Sequence, residues 1–177
     1  MMKIFGRFNI YLCLALGLLF AGGCQTPAEK EKKQKEKDIT LIELHMEVNR
    51  DGATDNEPVA INRDPPIYVN VDKSPFVDAS DITEAVLVEE LGGFGIRLKF
   101  NWRGTQLLEG MTTANRGKRI AVFCTFGPAR WIASPVIQRR ISDGVFTFAP
   151  DASRTEAERI VRGLNNSAKK LKKDDTW

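Results

Sequence analysis

The chain has 177 residues, 42% of them hydrophobic and 28% charged, which suffices for one globular domain with a tail and is too apolar for a disordered chain. Its formal charge is +3, and two of the positive charges, Lys3 and Arg7, lie in a leader expected to be removed, so the remainder is nearly neutral. That balance argues against nucleic acid as a partner, and the basic runs at residues 30–37 and 169–173, interrupted by Glu31 and Glu36 or followed by Asp174 and Asp175, read as solvated tails.

Residues 1–23 carry Lys3 and Arg7, then an uncharged run, then the small residues Ala21, Gly22 and Gly23 before Cys24. This is the pattern of a secretory signal peptide; its uncharged run of about 17 residues is near the lower limit for a spanning helix, and the alternative is an uncleaved N-terminal anchor. A cysteine directly after Ala-Gly-Gly is similar to a bacterial lipobox, which implies that Cys24 becomes the diacylated N-terminus and that the membrane is one partner, reached through that lipid. Gln25 after the cysteine resembles lipoproteins sent on to an outer membrane. Residues 24–38 are dominated by Lys and Glu and form a tether, because so few apolar side chains cannot offset the cost of ordering.

A first strand is expected in the run from Ile39 to Val48, with Ile42, Leu44, Met46 and Val48 on the core face and Glu43, His45 and Glu47 on a wet one. His45 is therefore expected to be exposed. With no second histidine, the Glu-His-Glu row does not make a metal site. Residues 49–66 read as a loop, Ile67, Val69 and Val71 as a strand, and residues 85–90 with 95–102 as a hairpin reversed at Gly92-Gly93. A helix follows from about Thr105 to Arg116, with Leu107, Leu108, Met111 and Ala114 on one stripe and Gly117 ending it. Ile120, Val122, Cys124 and Phe126 alternate onto one face of the next strand, where Cys124 is a small buried hydrophobe. The run from Trp131 to Ile137 contains Pro135, which confines it to a sheet edge or ends it there. Val145, Phe146 and Phe148 follow the Asp143-Gly144 turn as a last strand, and Ser153 with Glu156 is a capping box for a helix carrying Ala157, Ile160, Val161, Leu164 and Ala168.

The succession KFN, TTANRGKRIAVF, ASPVI and ISDG resembles the periplasmic head of the first large soluble domain of SecD, an accessory subunit of the protein-export translocase. Thr112, Gly117, Lys118, residues 134–137 and Gly144 carry the likeness, which extends upstream through ASDITEAVLVEE and covers roughly residues 65–170. It implies a binding module of the cell envelope on the periplasmic side, contacting exported polypeptides or an envelope protein.

The expected fold is therefore α+β, a mostly antiparallel sheet of about five to seven strands with two helices packed on one face, over residues 39–170 and followed by a polar tail at 171–177. The sequence carries no nucleophile elbow, phosphate loop or ligand cluster, so no cofactor and no enzyme is expected. The alternative is an envelope enzyme using Glu89, Glu90, Arg130, Arg139 and Arg140. For binding, the edge after Gly127-Pro128 offers Arg130, Trp131 and Arg139 as contact residues. Two readings stay open for Trp131: an anchor for a partner, or a side chain folded under into the core.

Overall fold

The computed structural model describes residues 38–50 and 55–174, excluding the side chains of 173 and 174, all within one compact unit, Lys35–Trp177. The signal peptide, Cys24 and most of the tether lie outside the described residues. Among the described residues there are eight strands: β1 (Ile42–Met46), β2 (Asn56–Ile61), β3 (Ile67–Asp72), β4 (Ile82–Glu90), β5 (Gly93–Phe100), β6 (Ile120–Cys124), β7 (Arg130–Ala133) and β8 (Val145–Phe148). The same residues hold two α-helices, α1 (Trp102–Ala114) and α2 (Arg154–Asp174), in a mixed α+β fold. The strands divide into three antiparallel sheets, ordered β1-β6-β7, β2-β3 and β4-β5-β8, where the sequence pattern suggests one.

Local chemistry explains most of the boundaries. Glu90 pairs with Gly93 across a two-residue turn in which Gly92 has φ +88°, a conformation that strains any side chain. The β5 strand stops at Phe100, two residues before the expected end, because Asn101 caps α1: its side-chain oxygen accepts from the Gly104 N–H at 2.8 Å. Trp102, expected on the strand's apolar face, is instead the first helical residue and is 80% exposed. The Ser153 hydroxyl accepts from the Glu156 N–H at 3.2 Å and starts α2. Pro135 ends regular pairing of β7, yet its carbonyl accepts from Ile120 N–H and the Ile137 N–H donates to Lys118, so residues 135–137 stay laced to the start of β6.

The main core lies between the β1-β6-β7 and β4-β5-β8 sheets and the two helices. Ile42, Leu44, Ile96, Leu98, Leu108, Ile120, Val122, Ile132, Ile160 and Leu164 are all essentially inaccessible there. The helix α2 packs chiefly along β4 and α1 on β5, so both helices serve the same sheet. Asn165 closes the outer edge of β4 by accepting from Ala85 N–H at 3.0 Å and donating to Ala85 C=O at 2.8 Å, as a neighbouring strand would. Ser167 binds Thr40 in the same manner, donating to its carbonyl at 2.7 Å. A Cβ on Gly163 would come within 2.9 Å of Thr40 Cβ, so only glycine lets that segment lie against α2.

Two expectations are corrected. Residues 49–66 are not all loop, since Asn56–Ile61 forms β2 and pairs with β3 in full register from Asn56 opposite Asp72 to Ile61 opposite Ile67. Pro58 obscured this strand, and it is tolerated because Pro58 sits in an exposed two-stranded ribbon. His45 is not exposed but 5% accessible, because the β2-β3 hairpin covers the face of the sheet that the alternation assigns to water. Its Nδ1–H donates to the Asp72 carbonyl at 2.8 Å, and its ring meets the Trp131 ring edge-on at 4.9 Å.

Candidate interaction site

Trp131 lies half-buried on the second face of the β1-β6-β7 sheet. It contacts His45 and Phe123, with ring centroids 4.9 and 5.1 Å away, and packs against a small cluster of Val59, Ile61, Val69, Val71 and Ala121. Arg130, next to it, turns the other way and donates to Glu156 at 2.7 Å and Asp151 at 3.3 Å. Arg63, just after β2, reaches the same two carboxylates at 3.2 Å each. Burial works to raise the Glu156 carboxyl, but the hydrogen bond and charge of Arg130, followed by those of Arg63, outweigh it and hold the group below the ordinary carboxylate value. The network ties the β2-β3 hairpin to the first turn of α2, and it engages the Arg130 guanidinium within the fold.

Arg139 belongs to a different surface. It lines a cleft of about 770 Å³ between residues 135–141 and the β4-β5-β8 sheet, together with Glu90, Arg97, Val136, Asp143 and Val145. The cleft is shaped by Pro135, which frees the chain from regular pairing, and by the Asp143-Gly144 turn, where Gly144 has φ +66° and the Asp143 carboxylate accepts from Val145 N–H at 3.1 Å. Val136 is 42% exposed within it. Apolar side chains thus alternate with two cations and two carboxylates, a lining suited to an extended polypeptide rather than to one small charged ligand.

The five residues of the enzymatic alternative are not gathered. Glu89 pairs with Arg154, Arg140 with Glu109, and Arg130 with Asp151 and Glu156, while only Glu90 and Arg139 share the cleft. Among the described residues no group of three His, Cys, Asp or Glu side chains could hold a metal ion. Cys124 is 1% exposed, and burial pushes its thiol up, against a smaller opposing effect of its Phe126 backbone hydrogen bond. The cleft was missed in the sequence because its walls come from three separated stretches; the one local signal was Pro135 beside exposed apolar residues.

The sequence profile of the SecDF P1 head subdomain matches residues 55–168. The chain belongs to the SecDF P1 head family. Two solved structures share the fold of this head domain. One is of SecDF described as a membrane component that enhances protein export, 18% identical with a TM-score of 0.56, the match covering 82% of this chain and 70% of the other. The second is SecDF in a super-membrane-facing form, 19% identical with a TM-score of 0.58, and there the match covers 80% of this chain but only 21% of the other. No match is found among curated proteins. The head domain therefore corresponds to a small part of the larger SecDF chain, and among the described residues no helix is long and apolar enough to cross a membrane.

Proposed function

We propose that this chain is a non-catalytic binding module of the cell envelope that contacts exported polypeptides on the periplasmic side, held to a membrane by lipid on Cys24. The observation that carries the reading is the family's head fold bearing an open cleft of mixed apolar and charged lining. Extended chains suit such a surface, since Val136 and Val145 offer apolar contact and Arg97, Arg139, Glu90 and Asp143 offer partners of both signs. Of the three contact residues expected from sequence, Arg139 takes that role in this reading, and Arg130 and Trp131 brace the hairpin.

The test is capture of an unfolded secretory polypeptide by the full chain. Val136→Asp combined with Arg139→Glu should weaken capture by about tenfold or more while leaving the melting temperature nearly unchanged, because both side chains are exposed. Unaltered capture would reject the cleft. The anchor is tested separately by mass: diacylglycerol on the mature wild type, absent from Cys24→Ser, is expected, and a wild-type chain without lipid would remove the anchoring half of the reading.

A further inference from the structure

One side of the cleft is a strand edge that the fold leaves open among the described residues. Other edges are closed. Leu44 N–H donates to Val77 C=O and Phe76 N–H to Leu44 C=O along β1, Val48 N–H reaches Asn70 C=O along β3, Asn165 covers β4, and Asp151 N–H donates to Ile132 C=O on β7. On β2, Pro58 lies opposite Asn70, whose carbonyl turns to Val48, so Pro58 faces the outer side and offers no N–H there. The β8 strand has no such device: it ends the β4-β5-β8 sheet, and its Val-Phe-Thr-Phe carries neither charge nor proline.

Register tells which groups of β8 point outward. Phe100 N–H donates to Gly144 C=O at 3.0 Å, and Leu98 opposite Phe146 and Ile96 opposite Phe148 keep the same phase. Phe146 and Phe148 therefore bond to β5, whereas Val145 and Thr147 turn their N–H and C=O groups away from it. Asp143 takes the Val145 N–H; the Val145 C=O and both backbone groups of Thr147 have no partner among the described residues. Both residues line the cleft. On its other wall, the bonds from Ile120 N–H to Pro135 C=O and from Ile137 N–H to Lys118 C=O flank Val136, so its own N–H and C=O point away from β6.

We propose that an exported polypeptide is held in this cleft as an added strand, its backbone pairing with Thr147 and with the Val145 carbonyl. Strand addition deepens the polypeptide reading of the cleft and rests on it. It also names the class of segment taken: extended, and free of proline where its amides face β8. Backbone groups are common to every sequence, so such pairing accepts chains that differ in side chains, while Val136 and Val145 favour apolar residues at alternate positions. A lone strand enters a cleft walled by residues 135–141, where the whole sheet of a second copy would be stopped.

The probe is a fluorescent peptide of about ten residues, alternating threonine and valine between terminal lysines, added to the full chain. Thr147 N–H should exchange freely in the unbound chain and slow about tenfold or more with peptide bound, while the Phe146 and Phe148 amides, already bonded to β5, stay protected throughout. Thr147→Pro removes the N–H at an edge position where proline is tolerated, and should weaken binding about tenfold. Thr147→Val keeps the N–H and should leave binding within about twofold. A peptide with proline at every second position should not compete. The exchange measurement needs no variant, so it decides the matter if Thr147→Pro melts early. Peptide bound with Thr147 exchange unchanged, undiminished binding by a folded Thr147→Pro, or equal loss in Thr147→Val would overturn strand addition and leave the cleft as a polypeptide site. Binding of neither the peptide nor an unfolded secretory polypeptide would overturn the cleft reading itself, and strand addition with it. A wild-type dimer that Thr147→Pro disperses, without peptide capture, would overturn it in favour of a second copy at this edge.

Discussion

The β1-β6-β7 sheet is covered on both faces, and its two coverings differ in kind. On one face Ile42, Leu44, Ile120, Val122 and Ile132 meet a second sheet and two helices in a deep core. On the other, Ala121 and half-buried Trp131 lie under a two-stranded hairpin contributing only Val59, Ile61, Val69 and Val71. A lone hairpin is marginal in water. This one is held by aromatic packing on Trp131, by the bond from His45 to the Asp72 carbonyl, and by the Arg63 and Arg130 network on Asp151 and Glu156. The first covering stands on buried area, whereas the second depends on a few named contacts, so the hairpin should open before the core does.

The largest expected effect breaks the comparison from the side of the core. Leu98→Ala removes a fully inaccessible side chain and should cost about 2–5 kcal/mol, read as one cooperative loss in denaturant unfolding. Hairpin amides and core amides should then exchange faster together. Trp131→Ala should cost less, about 2 kcal/mol, because the ring is only half-buried. Amide exchange should rise in β2 and β3 while β5 stays protected, and polypeptide capture by the cleft should persist. A global loss as large as that of Leu98→Ala would mean that the two coverings form one cooperative unit.

The smallest effect is set by pH. The Glu156 carboxyl is held below its ordinary value in the native state, so its contribution is present above the ordinary carboxylate range and is lost as pH falls through the native value. Glu156→Gln should therefore cost less than about 1 kcal/mol near neutrality and flatten the acid limb of the stability curve below about pH 4.5. An acid limb unchanged in Glu156→Gln would mean that the charge of this carboxylate adds nothing to stability.

Much of the core-facing side was legible because alternation and helical periodicity are local. Ile42, Leu44 and Met46, Ile120, Val122 and Cys124, and the α2 stripe of Ala157, Ile160 and Leu164 all point where their spacing says. Asn101 shows the limit of this reading. Apolar alternation from Ile96 carries through to Trp102, but a side-chain cap outweighs it and turns the chain into α1 two residues early.

By itself, the sequence determined the α+β class, both helices, the β4-β5 turn, the capping box and the family likeness, since each depends on residues close together or on an ordered set of short motifs. Only the tertiary structure decided that His45 is buried, that residues 56–61 pair with β3, that Arg130 and Trp131 serve the hairpin while Arg139 lines a cleft, and that β8 keeps an open edge along that cleft. The physical reason is shared. Period-2 alternation tells which side chains oppose each other across a strand but not what covers each face, and a groove or cluster exists only after distant segments have been brought together.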